Sequence, residues 1–291
     1  MAEGGAMKGS TLVTGAAGFT GRHLVGFLRA QAEGEVVAAG RAEGDGIMRL
    51  DLADPDDVLQ AIGRIRPTRV FHCAGRFTNI WESDFPANVG WTRHLLEAVR
   101  THDPACRVLL VGSAAEYGAP PDGPVAETTP LNPVTVYGVT KAMQTMLMGY
   151  YHRAAGLDVV MARTFNLFGA GCSPDLFPGR VAAQIARVRQ GLQAKIELRS
   201  LSSRRDYLPV ENAVRAYAQI MDHGRSGEVY HVGSGSPVTM SELLERLLSG
   251  SGLTMDDVST GADDPMKTNV PEIYADLSKL NALPDGRRGN P

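Results

Sequence analysis

The chain has 291 residues, with 29 Lys and Arg against 32 Asp and Glu, a net charge of -3 and a pI near 6.2. Its basic residues are scattered, which argues against a nucleic-acid-binding surface. No apolar run approaches the ~18 residues of a membrane helix, and the opening MAEGGAMKGS lacks the hydrophobic stretch of a signal peptide, so a soluble cytoplasmic protein is expected. Cys73, Cys106 and Cys172 are widely spaced, and the seven histidines, His23, His72 and His231 among them, form no ligand pattern. Neither a disulfide framework nor a metal site is expected.

In chain order, STLVTG (10–15) reads as a short apolar strand ending in glycine, and FTGRHLVGFLRAQA (19–32) as a helix with apolar residues near 3.6-residue spacing. EVVAAG (35–40) and GIMRLDL (46–52) are the next strands, and DPDDVLQAIGRI (54–65) a helix capped by Asp54 with Pro55 in its first turn. RVFHCAG (69–75), a helix around Trp91–Arg100, RVLLVGS (107–113), a helix carrying Tyr137 and Lys141, and LDVVMART (157–164) continue the alternation. Such alternation implies a doubly wound, Rossmann-type α/β fold, a parallel sheet covered on both faces. Beyond Asn166 the rhythm breaks at Gly169, Gly171 and Pro174, and residues 173–191 read as a loop leading into a helix. YLPVENAVRAYAQIM (207–221) and GEVYHVGSG (227–235) return to a helix and a further sheet strand, before MSELLERLLSGSG (240–252) starts a peripheral helix. The expected organisation is a dinucleotide domain of residues 1–165 with 207–235, and a smaller interleaved C-terminal substrate lobe of 166–206 with 236–291. The first eight and last ten residues are expected to be flexible by composition and position.

Chemistry concentrates at a few motifs. In TGAAGFTG, Gly15, Gly18 and Gly21 recur three apart after a strand and before a helix, where the backbone can approach a pyrophosphate and the helix N-terminus offers free N–H groups. Phe19 and Thr20 belong to the same turn. The second strand ends Ala39-Gly40-Arg41, without the carboxylate that reads a free ribose 2'-hydroxyl. An arginine there suits a 2'-phosphate, so NADP(H) is the expected cofactor, with NAD(H) the alternative. Asp51 and Leu52 follow the third strand, Asp51 being a candidate for the adenine amino group or for a cap. Cys73, Ala74 and Gly75 should pass the pyrophosphate or ribose, and Asn88 should fix the central helix or the nicotinamide side. Tyr137 and Lys141 in YGVTK are four apart and share one helix face, which would place the ammonium beneath the phenol and favour its ionised form. A phenol tuned in this way exchanges a proton with a sugar or alcohol oxygen while a hydride moves on carbon. Ser113 would hold the same oxygen.

With Gly15, Gly18, Gly21, Ser113, Tyr137 and Lys141 in this order, the chain resembles the extended short-chain dehydrogenase/reductase family over residues 10 to about 283. The resemblance implies a Rossmann fold holding a nucleotide sugar between the dinucleotide domain and a smaller C-terminal one, and a homodimer formed through a bundle that includes the Tyr137 helix. ARTFNLFGAG (162–171) matches a family segment in which Asn166 contacts the sugar nucleotide. In RRDY, Arg205 matches an arginine on the diphosphate, with a structural pair to Asp206 as the alternative, and Arg180 with Gln184 could line the nucleotide site. SLSSRRDYLPVENAVRAY (200–217), QIARVRQG (184–191) and VGSAAEYG (111–118) look most like reductases of GDP-4-keto-6-deoxymannose and of related dTDP-linked ketosugars. Family dehydratases carry acidic or polar residues where this chain has Ala114 and Ala115, and Glu116 is displaced by one, so dehydration is disfavoured. The implied activity is reduction of a nucleotide-linked 4-keto-6-deoxyhexose, GDP-linked or dTDP-linked, by NADPH. An epimerase using bound NAD and a non-catalytic dinucleotide sensor are the alternatives. Arg76 and Phe77 stand where many relatives have small or polar residues, and the chain stops at PDGRRGNP where the family continues.

Overall fold

Thr11–Thr14 is wholly buried, as a central parallel strand must be when helices cover both faces of its sheet. A computed structural model describes residues 9–31, 34–261 and 270–284. Residues 1–8, all but the first three of the last ten, and thus the PDGRRGNP terminus after Pro284, lie outside the described residues. Strand β1 (Thr11–Thr14) pairs with β2 (Val36–Gly40) on one side and β4 (Arg69–His72) on the other. β3 (Ile47–Arg49) extends the first side, and β5 (Arg107–Ser113), β6 (Val159–Thr164) and β10 (Val229–Val232) the second. The result is an all-parallel seven-stranded sheet in the order β3-β2-β1-β4-β5-β6-β10. The direction of the ladder reverses at β1 and β4, which opens a crevice at their carboxyl ends.

Helices α1 (Phe19–Ala30) and α7 (Val210–His223) cover one face, where Leu24, Phe71, Val160 and Tyr217 form one core. On the other face lie α2 (Pro55–Ile65), α4 (Trp91–His102) and α5 (Val136–Ala155), around Leu12, Val70, Leu95, Val108 and Tyr151. Asp54 caps α2 as its sequence implied, accepting from Asp56 N and Asp57 N with Pro55 following. A short α3 (Trp81–Phe85) runs through a π-helical turn, Pro86–Gly90, into α4. That turn bulges the chain at Asn88, and such bulges gather at functional sites.

The remaining elements form the smaller lobe. β9 (Arg204–Pro209) pairs with β7 (Asn166–Phe168), β13 (Glu272–Ile273) and, antiparallel, β11 (Pro237–Thr239). A second pair, β8 (Ile196–Leu198) with β12 (Val258–Thr260), packs with α6 (Phe177–Arg189) and α8 (Met240–Leu248) around Val181, Leu244 and Leu248. The capping box of Thr239 and Glu242 starts α8. α9 (Ser278–Asn281) returns to β10, where Lys279 meets Glu228 and the Val229 carbonyl. Strands of two or three residues such as β7, β8 and β11–β13 show no period in the sequence, which is why it predicted none of them.

Candidate active site

The glycine turn is shaped by contact. Gly15 has φ +70, and a Cβ there would lie 2.7 Å from Ala74 N, while one on Gly21 would lie 2.1 Å from Gly15 O. Only hydrogen fits at either position, so β1, the turn and α1 close together and the turn stays open to a ligand. Gly18 caps α1 without a side-chain bond, and no acid sits in the first helical turn. The first N–H groups of α1 are therefore available to an anion. A cleft of about 340 Å³ beside the turn is lined by Gly15, Gly18, Arg41, Leu52, Cys73, Ala74 and Gly75. Here is a bare-backbone cradle at a helix N-terminus with an apolar slot beyond it, which fits a dinucleotide.

Not every candidate reaches that cleft. The Asp51 carboxylate accepts from Ala53 N, and its backbone N–H donates to Asp57 Oδ2, so it serves the turn into α2 rather than the cleft. Asn88 is fully buried, and it works through others. Its Oδ1 accepts from Arg76 N at 2.9 Å and its Nδ2 donates to Arg76 O and to Thr140 Oγ1. It thereby ties the turn after β4 to the helix that carries Tyr137.

Ser113, at the end of β5, and Tyr137, in the first turn of α5, both line a second cleft of about 800 Å³. The phenol's pKa is pushed up to about 12 by burial; the Ser113 hydrogen bond draws it down, and the Glu116 and Asp84 carboxylates add to the rise. The predicted easing of ionisation by Lys141 is thus not the dominant effect. Lys141 Nζ lies 5.9 Å from the Tyr137 ring centroid and donates to the Val111 carbonyl and to Gln144 Oε1. Burial brings its own pKa down to about 8. Beyond Gln144 a buried chain continues through Thr92 Oγ1 and His72 to Thr14 Oγ1. Burial drives the His72 pKa down to about 3, so the ring is a neutral link.

The second cleft also takes in Phe19, Thr20, Ala114, Asn166 and Arg205. Asn166 Nδ2 donates to Asp206 O, and Arg205 Nη1 to Arg204 O. Asp206 does not pair with Arg205; it is fully buried and accepts from Ser234 N, Ser234 Oγ, Gly235 N and Ala275 N. Arg204 pairs with Glu272 instead. Arg180 is exposed, donates to Asp175 O and lies outside the lining, and Gln184 bonds to the β8 backbone. Neither is brought to the site. His23 bonds the Ala170 carbonyl and His231 the Tyr117 hydroxyl. Among the described residues no group of three His, Cys, Asp or Glu could hold a metal.

Several groups at the site were missed in the sequence. The loop 76–80 is pinned by Asp84, whose carboxylate accepts from Thr78 N, Thr78 Oγ and Asn79 N at 2.7–3.2 Å. Asn79, at φ +60, turns its Oδ1 to accept from Tyr137 N. Behind Ser113, Glu116 Oε1 accepts the Ser113 N–H while Oε2 is held by Arg163 and Thr145. Trp91 and Arg76 line the first cleft and Tyr217 and Thr164 the second. Nothing periodic marks these positions; only the capping-box spacing of Ser113 and Glu116 could have been read.

The NAD dependent epimerase/dehydratase family matches residues 11–233. The GDP-6-deoxy-D-mannose reductase of Pseudomonas aeruginosa is 31% identical over 81% of this chain and 78% of its own. The UDP-glucose 4-epimerase of Mycolicibacterium smegmatis is 29% identical over 80% of each. Among solved structures, the dTDP-glucose 4,6-dehydratase DesIV of Streptomyces venezuelae, with NAD bound, superposes with a TM-score of 0.84 at 25% identity, covering 97% of this chain and 92% of its own. The UDP-glucose 4-epimerase of Thermus thermophilus, in complex with NAD, gives 0.81 at 28% over 94% and 92%, and RMD of P. aeruginosa, with NADPH, 0.82 at 25% over 97% and 95%. The similarity spans reductases, dehydratases and epimerases, so the resemblance to GDP-ketosugar reductases resolves to the family as a whole. The expectation of NADPH is corrected: most of the similar solved structures hold NAD. Physically, Arg41 is one exposed side chain at the cleft rim, and its neighbour Arg76 is taken up by Trp91 and Ser83. A lone guanidinium lies against an adenine face as readily as against a phosphate, so it does not select NADP. A bare glycine cradle beside a Ser113-Tyr137-Lys141 constellation, on an all-parallel sheet, agrees with the match over most of the sequence: the chain belongs to the NAD dependent epimerase/dehydratase family and is an NAD(P)-binding Rossmann enzyme.

Proposed function

We propose that the chain is an NAD-dependent enzyme of nucleotide-linked sugars that inverts a hexose carbinol centre, C4, by oxidation and re-reduction. The observation that carries this reading is the pairing of Ser113 and Tyr137 with Ala114 at the same cleft wall and Ala115 beside it. The site can move one proton at one oxygen, but it offers no acid at these positions to remove a second proton from carbon, as dehydration requires. Bound NAD supplies hydride acceptance and return. Tyr137 takes the hydroxyl proton as C4 is oxidised and gives it back on re-reduction, while Ser113 donates a hydrogen bond to the carbonyl oxygen. Lys141 contributes positive charge beneath this exchange. Gly15, Gly18, Gly21 and the α1 N-terminus hold the pyrophosphate, with Leu52 and Cys73–Gly75 along the cofactor. Arg205 takes the sugar nucleotide's diphosphate, where a guanidinium fork suits phosphate oxygens, and Asn166 orients the sugar.

A second reading, reduction of a 4-keto sugar nucleotide, is favoured by the similarity to the P. aeruginosa reductase. One experiment separates the two. Purified protein is denatured and its released NAD quantified, and the native protein is incubated with UDP-glucose, dTDP-glucose and GDP-mannose, and separately with NADH and a 4-keto-6-deoxy sugar nucleotide, and followed by NMR. Stoichiometric NAD and a C4 epimer that a Tyr137→Phe control does not form support epimerisation. NADH consumption on a 4-keto-6-deoxy sugar nucleotide, with no epimer from any hexose, replaces it with reduction.

A further inference from the structure

Among the described residues lining the second cleft, Arg205 is the single charged side chain. If it holds the diphosphate, no other charged side chain in that lining remains for the sugar itself. The wall beside Tyr137 is apolar: the Phe77 ring stands edge-to-face on the Tyr137 ring, centroids 4.9 Å apart, with Val134, Ala114 and Ala115 lining the same cleft. Phe77 is 44% exposed, yet it is not a loose surface ring. The loop that presents it is fixed at one end by Asn88 bonding both backbone groups of Arg76, and at the other by Asp84 bonding Thr78 and Asn79. Behind the wall lie two fully buried carboxylates. Glu116 is neutralised by Arg163, but Asp84 is held by the neutral donors of Thr78 and Asn79. Both carboxylates raise the Tyr137 pKa, while the Lys141 ammonium, outside the cleft lining, is taken up by the Val111 carbonyl and Gln144 Oε1.

We infer that the sugar end of this cleft is built for a neutral hexose and rejects a hexuronate, with Phe77 as the residue that sets the choice. A carboxylate on the carbon next to the one that bears the reacting hydroxyl would leave water for an apolar wall backed by like charge, and would gain no ion pair from the cleft lining in return. A hydroxymethyl or methyl group loses little there. This rests on the nucleotide-sugar reading of the site, and goes beyond it by naming the substituent that is excluded.

The test compares matched pairs that share a nucleotide: UDP-glucose with UDP-glucuronate, and GDP-mannose with GDP-mannuronate. Affinity is measured by calorimetry on the Tyr137→Phe protein, and kcat/KM on the native enzyme. The neutral sugar should be favoured by ~100-fold or more in the pair whose nucleotide is accepted. Phe77→Lys should narrow that ratio by ~10-fold or more through tighter uronate binding, and Phe77→Leu should preserve it. Equal affinity for both members of a pair, or a ratio that Phe77→Lys leaves unchanged, overturns the inference while leaving epimerisation intact. Should Phe77→Lys fail to fold, the native ratio together with Phe77→Leu still decides. Preference for the neutral sugar in binding without any epimer formed overturns the proposed reaction alone, and absence of binding by all four overturns both.

Discussion

In the proposed reaction Tyr137 changes charge during turnover, and its surroundings hold it protonated. Burial and the Glu116 and Asp84 carboxylates push its pKa up to about 12, while Lys141, the nearby cation, has itself been brought down to about 8 by burial. Below its pKa the ionised fraction of a phenol grows tenfold per pH unit, so the oxidation step should quicken as pH rises. Above about 8 Lys141 loses its proton, and the phenolate loses the positive charge beneath it. Epimerisation should therefore rise with pH to about 8 and bend there, as read from kcat against pH, and Lys141→Met should abolish the bend while lowering the rate throughout. Tyr137→Phe should lower kcat by ~10²–10⁴-fold, the usual span for losing an acid-base group, with bound NAD retained. Deeper in the core, Arg163 and Glu116 form an ion pair at 2.9 Å in which both side chains are almost wholly buried. Removing one member strands the other's charge, so Arg163→Met should cost about 3–5 kcal/mol in urea unfolding. It should also disturb Ser113, whose N–H rests on Glu116.

At the scale of elements, the start of α5 matters most, because Tyr137 occupies its first turn. Thr135 caps the helix by accepting from Gly138 N, and Asn79 reaches across from the loop after β4 to accept from Tyr137 N. Thr135→Ala should cost about 1 kcal/mol of stability. A larger share of its effect should appear in kcat than in cofactor retention, because the first turn frays while the glycine cradle on α1 is untouched. The sequence made much of this architecture readable. The alternation of strand and helix, the Asp54 cap, the glycines three apart and the Tyr137-Lys141 spacing are local patterns imposed by backbone geometry, and local patterns survive in one dimension. What held Tyr137 in place was not readable. Asp84 and Asn79 act across a loop without period, Asn88 bonds Thr140 from 52 residues away, and Glu116 meets Arg163 from 47. Asp51 and Arg180 show the converse. Each has a residue type suited to a ligand, but side-chain direction is set by partners the sequence does not announce: Ala53 N for Asp51 and the Asp175 carbonyl for Arg180.

Two features tie the whole molecule together. On the outer side of α5, Met146 and Tyr150 stand one turn apart and are 71% and 57% exposed, with Trp81 and Phe85 exposed on the neighbouring α3. Large apolar side chains gathered on adjoining helices suit a second copy of this chain; by this argument the native protein should sediment as a dimer and the Met146→Glu, Tyr150→Glu double variant as a monomer. The second feature is Asp206. It sits on β9 of the smaller lobe, and its carboxylate collects the N–H groups of Ser234 and Gly235, just past the sheet's edge strand β10, together with that of Ala275 beside β13. Its own backbone carbonyl receives Asn166 Nδ2, and its chain neighbour is Arg205. One buried carboxylate thus joins the large sheet to β9, which carries the proposed diphosphate contact Arg205 and whose backbone holds the proposed sugar contact, Asn166 of β7. Asp206→Ala would leave three backbone N–H groups without their acceptor, each costing roughly 1–3 kcal/mol if it stays buried, so the variant should melt well below the native protein. The strand would then move relative to the sheet. Affinity for the nucleotide sugar, measured by calorimetry, should fall more than tenfold by this argument, a loss of roughly one such bond, whereas NAD content should stay at the native level because the glycine turn and α1 make no contact with Asp206. Equal losses of both would mean that the carboxylate supports folding in general and not the seating of β9. Loss of sugar affinity alone would place the coupling between the lobes in this one side chain.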